Sequence, residues 1–269
     1  PPRPSALSAF SALRIERLFP THASGSGIAI ERVPRAPYTR RVTDTSFLKQ
    51  LGGRFIVLDG PDGSGKSTQY RRLADDAAAA GVTVCEVREP GGTQVGEQIR
   101  SILLDRSSEM TMLCEMLLYM ASRAQLVEQR VIPAAARGEL VLADRFISST
   151  LAYQGCAGGL PEADILAVGD VATLRRKPDL VLIFDVDPET AARRTSGVEK
   201  KGRKPVARQG PSLFADRIEQ RGNDFQSRVR EGYLEQARKH PDRYAVIDAS
   251  KGPDEVYEAT LGVLRQMIA

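Results

Sequence analysis

Five short apolar runs recur along the chain between residue 54 and the C-terminus. They lie at residues 55–58, 82–87, 139–143, 179–185 and 244–248. Each run is nearly continuous in apolar character, which is typical of strands that are buried on both faces of a sheet. Amphipathic segments separate the runs. This alternation predicts an α/β fold in which helices cover both faces of a five-stranded parallel sheet.

Helices are predicted between these strands, at residues 68–74, 93–104, 109–136, 160–174, 221–239 and 253–268. Pro133 lies inside the longest helix, and we expect it to kink or shorten that helix because proline has no backbone N–H to donate. Ligands of open α/β sheets bind beyond the carboxyl ends of the strands. The polar residues that follow each predicted strand are therefore the candidates for chemistry.

A phosphate-binding loop follows the first strand, where residues 60–67 read G-P-D-G-S-G-K-S. They match the pattern G-x-x-x-x-G-K-[ST] between a strand and a helix, which is the context that the motif requires. The glycines let N–H groups point at phosphate oxygens, and the helix N-terminus adds about half a positive charge. We therefore predict ATP and Mg²⁺ as ligands, with Lys66 on the β- and γ-phosphates and Ser67 on the metal. The residues assigned to nucleotide binding are Gly60, Pro61, Asp62, Gly63, Ser64, Gly65, Lys66, Ser67 and Thr68.

Two further polar motifs follow predicted strands. Residues 88–93 read R-E-P-G-G-T after the second strand, and the two glycines permit a tight loop close to a ligand. Asp144 and Arg145 follow the third strand. Asp144 is a candidate Mg²⁺ ligand, directly or through water, and Arg145 is suited to grip a phosphate with paired hydrogen bonds.

Residues 195–215 break the alternation of strands and helices. They are punctuated by glycine and proline and carry five Lys or Arg residues against one acidic residue, Glu199. One interpretation is a solvated surface loop. The other is a lid whose cations close on phosphates. The position of the segment, between the helix after the fourth strand and the next helix, favours the lid.

Together these motifs resemble the thymidylate kinases, over about four-fifths of the chain from Phe55 onward. The resemblance is carried by residues 60–67, 88–93, 96–100, Tyr119 with Arg123, 144–154 and 216–219. The run R-E-P-G-G-T is highly specific to this family among phosphate-loop kinases. The resemblance implies a P-loop NTPase fold of the nucleoside monophosphate kinase type, and ATP-dependent phosphorylation of dTMP to dTDP.

The resemblance also implies roles for acceptor-site residues. Asp62 matches the acid that binds the 3′-hydroxyl of the deoxyribose. Tyr119 and Arg123 match the residues that hold the thymine ring and its carbonyl edge, and their i, i+4 spacing places both on one helix face. Arg145 matches the arginine that grips the acceptor phosphate. The remaining matched positions of the acceptor site are Arg88, Thr150, Tyr153 and Gln154.

Catalysis is expected to depend on arginines of the lid. Some thymidylate kinases carry an arginine inside the phosphate loop, where this chain has Gly63 and Ser64. The resemblance is to the bacterial type, whose lid supplies the catalytic arginines, and it implies a lid over about residues 193–220. Arg194 fits the start of the lid helix, and the segment at residues 195–215 looks like an insertion relative to the family. The implied catalytic residues are Lys66, Arg145, Arg194, Arg203 and Arg208, and a homodimer is implied through helices near residues 109–136.

Two other functions remain open from the sequence. One is a related kinase, either of deoxynucleosides or of another nucleoside monophosphate. The other is a non-catalytic module in which bound ATP regulates a partner. The acceptor-site residues argue against such a switch, because a switch needs no second nucleotide site.

The positive charge is concentrated at the N-terminus. Residues 1–50 carry eight Arg or Lys and three Asp or Glu, whereas the whole chain has a net charge of +4. The remainder is close to neutral, so we expect no nucleic-acid partner. Residues 1–52 lack periodicity and are rich in Pro, Ser, Ala and Arg, which is typical of a disordered extension or of a transit peptide. We favour the extension, with the kinase-like domain at residues 53–269.

Apolar runs and cysteines indicate the surroundings of the protein. No apolar run approaches the ~18 residues of a membrane span, so a membrane partner is not expected. Three cysteines lie far apart without a C-x-x-C pair. Such sparse cysteines indicate reduced thiols and a cytoplasmic location.

Overall fold

The computed structural model describes residues 44–105, 107–195 and 222–268. Predictions for residues 1–43, for Arg203 and Arg208, and for the rest of the lid after Thr195 lie outside these ranges. Five parallel strands form one sheet, at the positions that the apolar runs predicted. The strands are β1 Phe55–Asp59, β2 Val84–Arg88, β3 Leu140–Asp144, β4 Leu180–Asp185 and β5 Tyr244–Asp248.

Helices connect the strands and flank the sheet. The described α-helices are α1 Lys66–Ala79, α2 Gln94–Leu104, α3 Met112–Leu126, α4 Ile132–Ala136, α5 Ile147–Thr150, α6 Glu162–Ala172, α7 Pro188–Thr195, α8 Gly222–Lys239 and α9 Pro253–Ile268. A 3₁₀-helix spans Ser46–Leu51, and π-helical segments span Val127–Val131 and Leu151–Ala157. None of the helices in the described ranges is long and apolar enough to cross a lipid bilayer.

The strand order β2-β3-β1-β4-β5 places β1 at the centre of the sheet. In the register of the sheet, Asp144 of β3 lies opposite both Leu58 of β1 and Arg88 of β2. All strands run parallel, so their carboxyl ends meet at one edge. The phosphate loop, the R-E-P-G-G-T motif and Asp144 therefore lie side by side, and the predicted fold class is confirmed.

Alternate strand residues face opposite sides of the sheet, and each side has its own core. On one side, Ile56 and Leu142 pack with Leu73 of α1 and Leu261 of α9. On the other side, strand residues such as Val57 pack against the α3–α4 run, α8 and the π-helical segment after α5. Both faces are covered because strands with near-continuous apolar character leave no face that water can solvate.

The long helix predicted at residues 109–136 starts later and does not end at Pro133. Thr111 caps α3 by accepting a hydrogen bond from the Cys114 N–H through its side chain, at 3.3 Å. The run continues to Ala136 through the π-helical turn Val127–Val131. Pro133 has no backbone N–H to donate, and its ring would clash with the preceding turn of a regular α-helix. The wider π-helical turn accommodates it. Pro133 therefore does not end the helix, which reaches Ala136 after the π-helical turn that precedes the proline.

Part of the predicted N-terminal extension belongs to the core. Residues 46–51 form the 3₁₀-helix, and its Leu48 and Leu51 are completely buried beside α1 and α9. Arg265 of α9 also lies over the ring of Phe47, at 4.6 Å from the ring centroid. The packed domain thus begins before residue 53, the boundary that composition indicated, because a single short turn carries too little periodicity to be recognised.

Candidate active site

The phosphate loop joins the central strand β1 to α1. Gly63 and Gly65 have φ angles of 80° and 81°, in the left-handed region that favours glycine. A Cβ atom on Gly60 would lie 2.5 Å from the carbonyl oxygen of Phe184, and one on Gly63 would lie 2.5 Å from that of Ala191. The loop is therefore wedged between β4 and α7, and only glycine fits at Gly60 and Gly63.

The loop has the features of an anion site. Helix α1 begins at Lys66, so the N–H groups of its first turn, which have no acceptor within the helix, point toward the loop. The Oγ of Ser64 is buried and has no hydrogen-bond partner among the described residues. Lys66 is itself buried and Ser67 is exposed. Backbone amides, a hydroxyl and a cation thus converge on one loop, and the phosphates of a nucleotide accept hydrogen bonds from donors of this kind.

Lys66 forms an ion pair with Asp144 at the end of β3. Burial by itself would raise the pKa of Asp144, but Lys66 and Arg145 oppose it, so that the pKa lies below its ordinary value. Asp144 is therefore an anion at neutral pH. The pair connects the end of the phosphate loop after β1 to the end of β3, because β1 and β3 are neighbours in the sheet.

A small cavity lined by polar side chains lies beside this edge of the sheet. The residues that line it are Glu89, Tyr119, Arg123, Arg145, Ser149, Thr150, Tyr153 and Gln154. The structure thus brings together all but two of the residues that the resemblance places in the acceptor site. Asp62 reaches the group through an ion pair with Arg145, at 2.7 Å. Arg88 does not line the cavity; it is half-exposed and pairs with Glu97 at 3.0 Å.

Arg123 is buried in the cavity wall and is paired. Its Nε donates to Glu89 at 2.8 Å, and one of its terminal nitrogens donates to the Thr150 hydroxyl at 3.2 Å. Burial raises the pKa of Glu89, and the charge of Arg123 opposes the rise. The second carboxylate oxygen of Glu89 has no partner among the described residues. Glu89 belongs to the R-E-P-G-G-T motif, yet the sequence did not identify it as a site residue.

The R-E-P-G-G-T motif forms a tight loop around the cavity. The Gly91 N–H donates to the Ser122 hydroxyl at 3.0 Å, and the Gly92 N–H donates to Glu97 at 2.7 Å. Arg100 donates to the Pro90 carbonyl. Burial, with repulsion from Arg88, lowers the pKa of Arg100 to about 10. The motif is thus anchored to both α2 and α3. Gly91 and Gly92 have φ angles of 122° and 79°, in the range that favours glycine, which explains the two glycines.

Gln154 of the cavity wall is oriented by a residue that sequence reasoning missed. Its Nε2 donates to the carboxylate of Glu115 at 2.8 Å, and Glu115 is completely buried on α3. Because the amide nitrogen of Gln154 faces Glu115, its amide oxygen points elsewhere and can accept a hydrogen bond from another group. A signal was present, because Glu115 interrupts the apolar stretch 110–120. A buried carboxylate in an apolar helix face requires a polar partner.

Arg145 adopts a φ angle of 73°, which is unusual for a residue with a side chain. One of its terminal nitrogens, Nη1, contacts Asp59, Ser149 and Tyr233, and the other, Nη2, donates to Asp62. Asp59, Ser149 and Tyr233 were not identified from the sequence. Asp59 could have been recognised as an acidic residue that ends a fully buried strand, but nothing local points to Tyr233 on α8.

At the root of the predicted lid, Arg194 lies away from the cavity. Its guanidinium donates to the carbonyl oxygens of Ala249 at 2.8 Å and Ser250 at 3.2 Å, in the loop after β5. A larger cavity of about 350 Å³ opens beside the phosphate loop, with Asp62, Ala191 and Arg230 among its lining residues. Arg230 of α8 forms a two-bond ion pair with Asp185 at the end of β4, at 2.7 and 2.8 Å.

A phosphate loop at the end of the central strand, next to a separate cavity lined by arginines, defines the chain as a phosphate-loop kinase with a donor and an acceptor site. The family model described as thymidylate kinase matches residues 58–260. The chain belongs to the thymidylate kinase family.

Individual relatives agree with the family match. The chain is 38% identical over 218 residues to a thymidylate kinase of Thermoanaerobacter sp. (strain X514), covering 81% of this chain and 100% of the relative. It is 43% identical over 219 residues to one from Pelotomaculum thermopropionicum, covering 81% and 95%. A crystal structure of thymidylate kinase from Ehrlichia chaffeensis superposes with a TM-score of 0.61 at 28% identity, covering 78% of this chain and 98% of that chain.

Proposed function

We propose that the protein transfers the γ-phosphoryl group of ATP to dTMP, with dTDP and ADP as products. The observation that carries this proposal is the cavity that Tyr119, Arg123 and Arg145 line, which the ion pair between Arg145 and Asp62 joins to the phosphate loop. A triphosphate on the loop and a monophosphate in the cavity would face each other across Arg145. Membership of the thymidylate kinase family supports dTMP as the acceptor.

The transfer needs positive charge rather than a general base. The acceptor oxygen of a nucleoside monophosphate is already anionic near neutral pH, since its second pKa is about 6. Two like charges ~4 Å apart repel by about 4 kcal/mol at an effective dielectric constant near 20. Lys66 and Arg145, both buried, offset this repulsion and stabilise the charge on the transferred group.

The acceptor nucleotide is proposed to bind across the cavity. Arg145 grips its phosphate, and Asp62 accepts a hydrogen bond from the sugar hydroxyl. Tyr119, Arg123 and Gln154 contact the base, and Thr150 and Tyr153 close the wall around the sugar and phosphate. Buried polar side chains at fixed positions suit such recognition because each polar group left unpaired by a wrong substrate is costly.

The donor site fits Mg²⁺ with ATP. Asp144 and Ser67 are proposed as ligands, because Asp144 is ionised and Ser67 is exposed at the start of α1. Within the described ranges there is no cluster of three or more His, Cys, Asp or Glu that could hold a metal ion. One or two protein oxygens together with substrate phosphates are the usual environment of Mg²⁺, which supplies charge neutralisation between the phosphates.

The lid arginines remain part of the proposal. Arg194 is proposed to support the donor side of the site, because its guanidinium lies 3.5 Å from the carbonyl oxygen of Gly63 in the phosphate loop and is anchored to Ala249. Arg203 and Arg208 are proposed to contribute the charge that the phosphate loop lacks at Gly63 and Ser64. Single replacement of Arg194, Arg203 and Arg208 tests this, and a loss of turnover below about tenfold in all three, or about 1.4 kcal/mol, would contradict it.

A homodimer in the cytoplasm is proposed for the assembly. Neighbouring helices α2, α3 and α6 expose large apolar side chains, namely Val95, Ile102, Leu113, Leu117, Leu166 and Val171. Exposed apolar side chains on helices that pack against one another are typical of an interaction surface. Leu117→Glu is expected to yield monomers in light scattering, and Val246→Glu, on the edge strand β5, serves as the control.

The free thiols of Cys85, Cys114 and Cys156 fit the reducing environment of the proposed cytoplasmic location.

An ADP-release assay with ATP, Mg²⁺ and a panel of acceptors tests the proposed reaction. We expect dTMP to give the highest kcat/KM among nucleoside monophosphates. Thymidine phosphorylated faster than dTMP, or UMP used equally well, would indicate a related kinase. Tight ATP binding without transfer to any monophosphate would indicate a regulatory module.

A further inference from the structure

Asp59, the last residue of the central strand, is a completely buried carboxylate with five hydrogen-bond donors around it. The donors are the Gly60 N–H, the hydroxyls of Ser148, Ser149 and Tyr233, and the guanidinium of Arg145. The shortest contacts come from Ser148 and Tyr233, both at 2.6 Å. A buried carboxylate is tolerated only when its oxygens are satisfied in this way.

Tyr233 of α8 links this carboxylate to Arg145. Its hydroxyl has a single proton, which it donates to Asp59, and its oxygen accepts from Nη1 of Arg145 at 3.1 Å. Burial raises the pKa of Tyr233 well above its ordinary range, and Asp59 adds to the rise, so the hydroxyl stays protonated. The Tyr233 ring packs edge-on against Tyr153, with centroids 6.3 Å apart.

The two terminal nitrogens of Arg145 have different surroundings. Nη1 faces the closed network of Asp59, Tyr233, Ser149 and the Gly60 carbonyl. Nη2 donates to Asp62, whose side chain is 19% exposed, whereas that of Asp59 is 0% exposed. A ligand can therefore compete for the Nη2 edge, whereas Asp59 and Tyr233, which hold the Nη1 edge, are both completely buried.

We propose that Asp59 and Tyr233 are positioning residues for the acceptor phosphate. They hold the Nη1 edge of Arg145 in place. The Nη2 edge can then give up its hydrogen bond to Asp62 and donate to a phosphate oxygen instead, while the guanidinium keeps its position. This inference rests on the proposed function, in which Arg145 grips the phosphate of dTMP. The left-handed backbone at Arg145 supports it, because a residue in that conformation persists only where surrounding contacts enforce it.

A tyrosine pair in the chain allows a matched test. Tyr233→Phe removes the hydroxyl that bridges Asp59 and Arg145 but keeps the ring. Tyr257→Phe removes a similar hydroxyl, which donates to Asp76 at 2.7 Å between α9 and α1, remote from the cavity. Both variants lose a tyrosine–carboxylate hydrogen bond, so both are expected to lower the melting temperature. Only Tyr233→Phe should alter the handling of the acceptor.

The measurements are kcat and KM for dTMP and for ATP, the dissociation constant of dTMP by calorimetry, and the melting temperature. For Tyr233→Phe we expect kcat/KM for dTMP to fall by about tenfold or more, with KM for ATP changed by less than about twofold. Ser149→Ala, which removes a smaller hydroxyl from the same network, should shift the same constants in the same direction. The dTMP dissociation constant should rise in both variants.

The inference is overturned if Tyr233→Phe and Ser149→Ala keep the wild-type kcat/KM and dissociation constant for dTMP, whatever their melting temperatures. It is also overturned if Tyr257→Phe lowers kcat/KM for dTMP as much as Tyr233→Phe does, since the effect would then follow stability. Failure of the proposed function looks different: the wild-type protein itself would bind ATP and turn over no dTMP.

Discussion

Arg123 and Glu89 form an ion pair at 2.6 Å in which their side chains are only 1% and 3% exposed. The pair joins α3 to the loop after β2, and it lies in the wall of the acceptor cavity. Two charges are taken out of water here, so each depends on the other for its solvation. The pair therefore both holds the cavity together and sets the direction of the Arg123 guanidinium.

Removal of one partner is expected to be costly. We expect Glu89→Ala to lower the free energy of unfolding by about 3–5 kcal/mol, because Arg123 would remain as an uncompensated buried charge. Urea unfolding followed by circular dichroism measures this. The control is Glu231→Ala, which breaks an exposed pair with Arg238 on α8 and should cost less than about 1 kcal/mol. Equal losses in the two variants would contradict the prediction.

The same carboxylate predicts a pH dependence. The pKa of Glu89 is raised by burial above its ordinary value of 4.5, so the folded protein binds this proton more tightly than the unfolded chain. The stability that comes from this tighter binding is therefore fully present below pH 4.5 and is lost as the pH rises through the folded-state pKa. Measured against Glu89→Gln, the stability of the wild type should decline over this interval. A wild-type stability that instead rises with pH relative to Glu89→Gln would refute the assignment.

Gly63 lies so close to Ala191 that a side chain at this position should disturb both the phosphate loop and α7. Gly63→Ala would place a Cβ atom 2.5 Å from the Ala191 carbonyl oxygen, so α7 must move away from the loop. We expect KM for ATP to rise by about tenfold, since the loop amides would lose their alignment with the phosphates. Gly81→Ala is the matched control, because Gly81 has a φ angle of 88° and a Cβ atom there would meet nothing within 4 Å. Both variants are expected to lose stability, and only Gly63→Ala should lose ATP affinity.

Replacement of Glu115 should change the selectivity of the acceptor site for the nucleotide base. Because Glu115 accepts from the Gln154 amide nitrogen, the amide oxygen is left to accept from the base. Thymine offers an N–H at its N3 position, whereas cytosine has no proton there. Glu115→Gln removes the constraint on the amide, and we expect the ratio of kcat/KM for dTMP over dCMP to fall by about tenfold. An unchanged ratio in a folded variant would show that Gln154 is oriented by other contacts.

Local patterns were sufficient for much of the site. The loop 60–67 and its setting between strand and helix follow from a contiguous motif, and Tyr119 and Arg123 share a helix face by their spacing. The residues missed are those whose partners are remote in the chain: Asp59 meets Arg145 across 86 positions and Tyr233 across 174. The short helix and π-helical segment after β3, which present Thr150, Tyr153 and Gln154 to the cavity, have no strong apolar period to indicate them.

The sequence by itself determined the five strands, the alternation with helices, the phosphate loop and the family, because each depends on residue types at short, regular spacing. Only the tertiary structure decided which side chains are paired: Lys66 with Asp144, Arg123 with Glu89, and Arg145 with Asp59 and Tyr233. Such pairs depend on the order of strands in the sheet and on which helix packs over which strand. Strand order is set by the packing of the whole chain, so it cannot be predicted from the periodicity of any one segment.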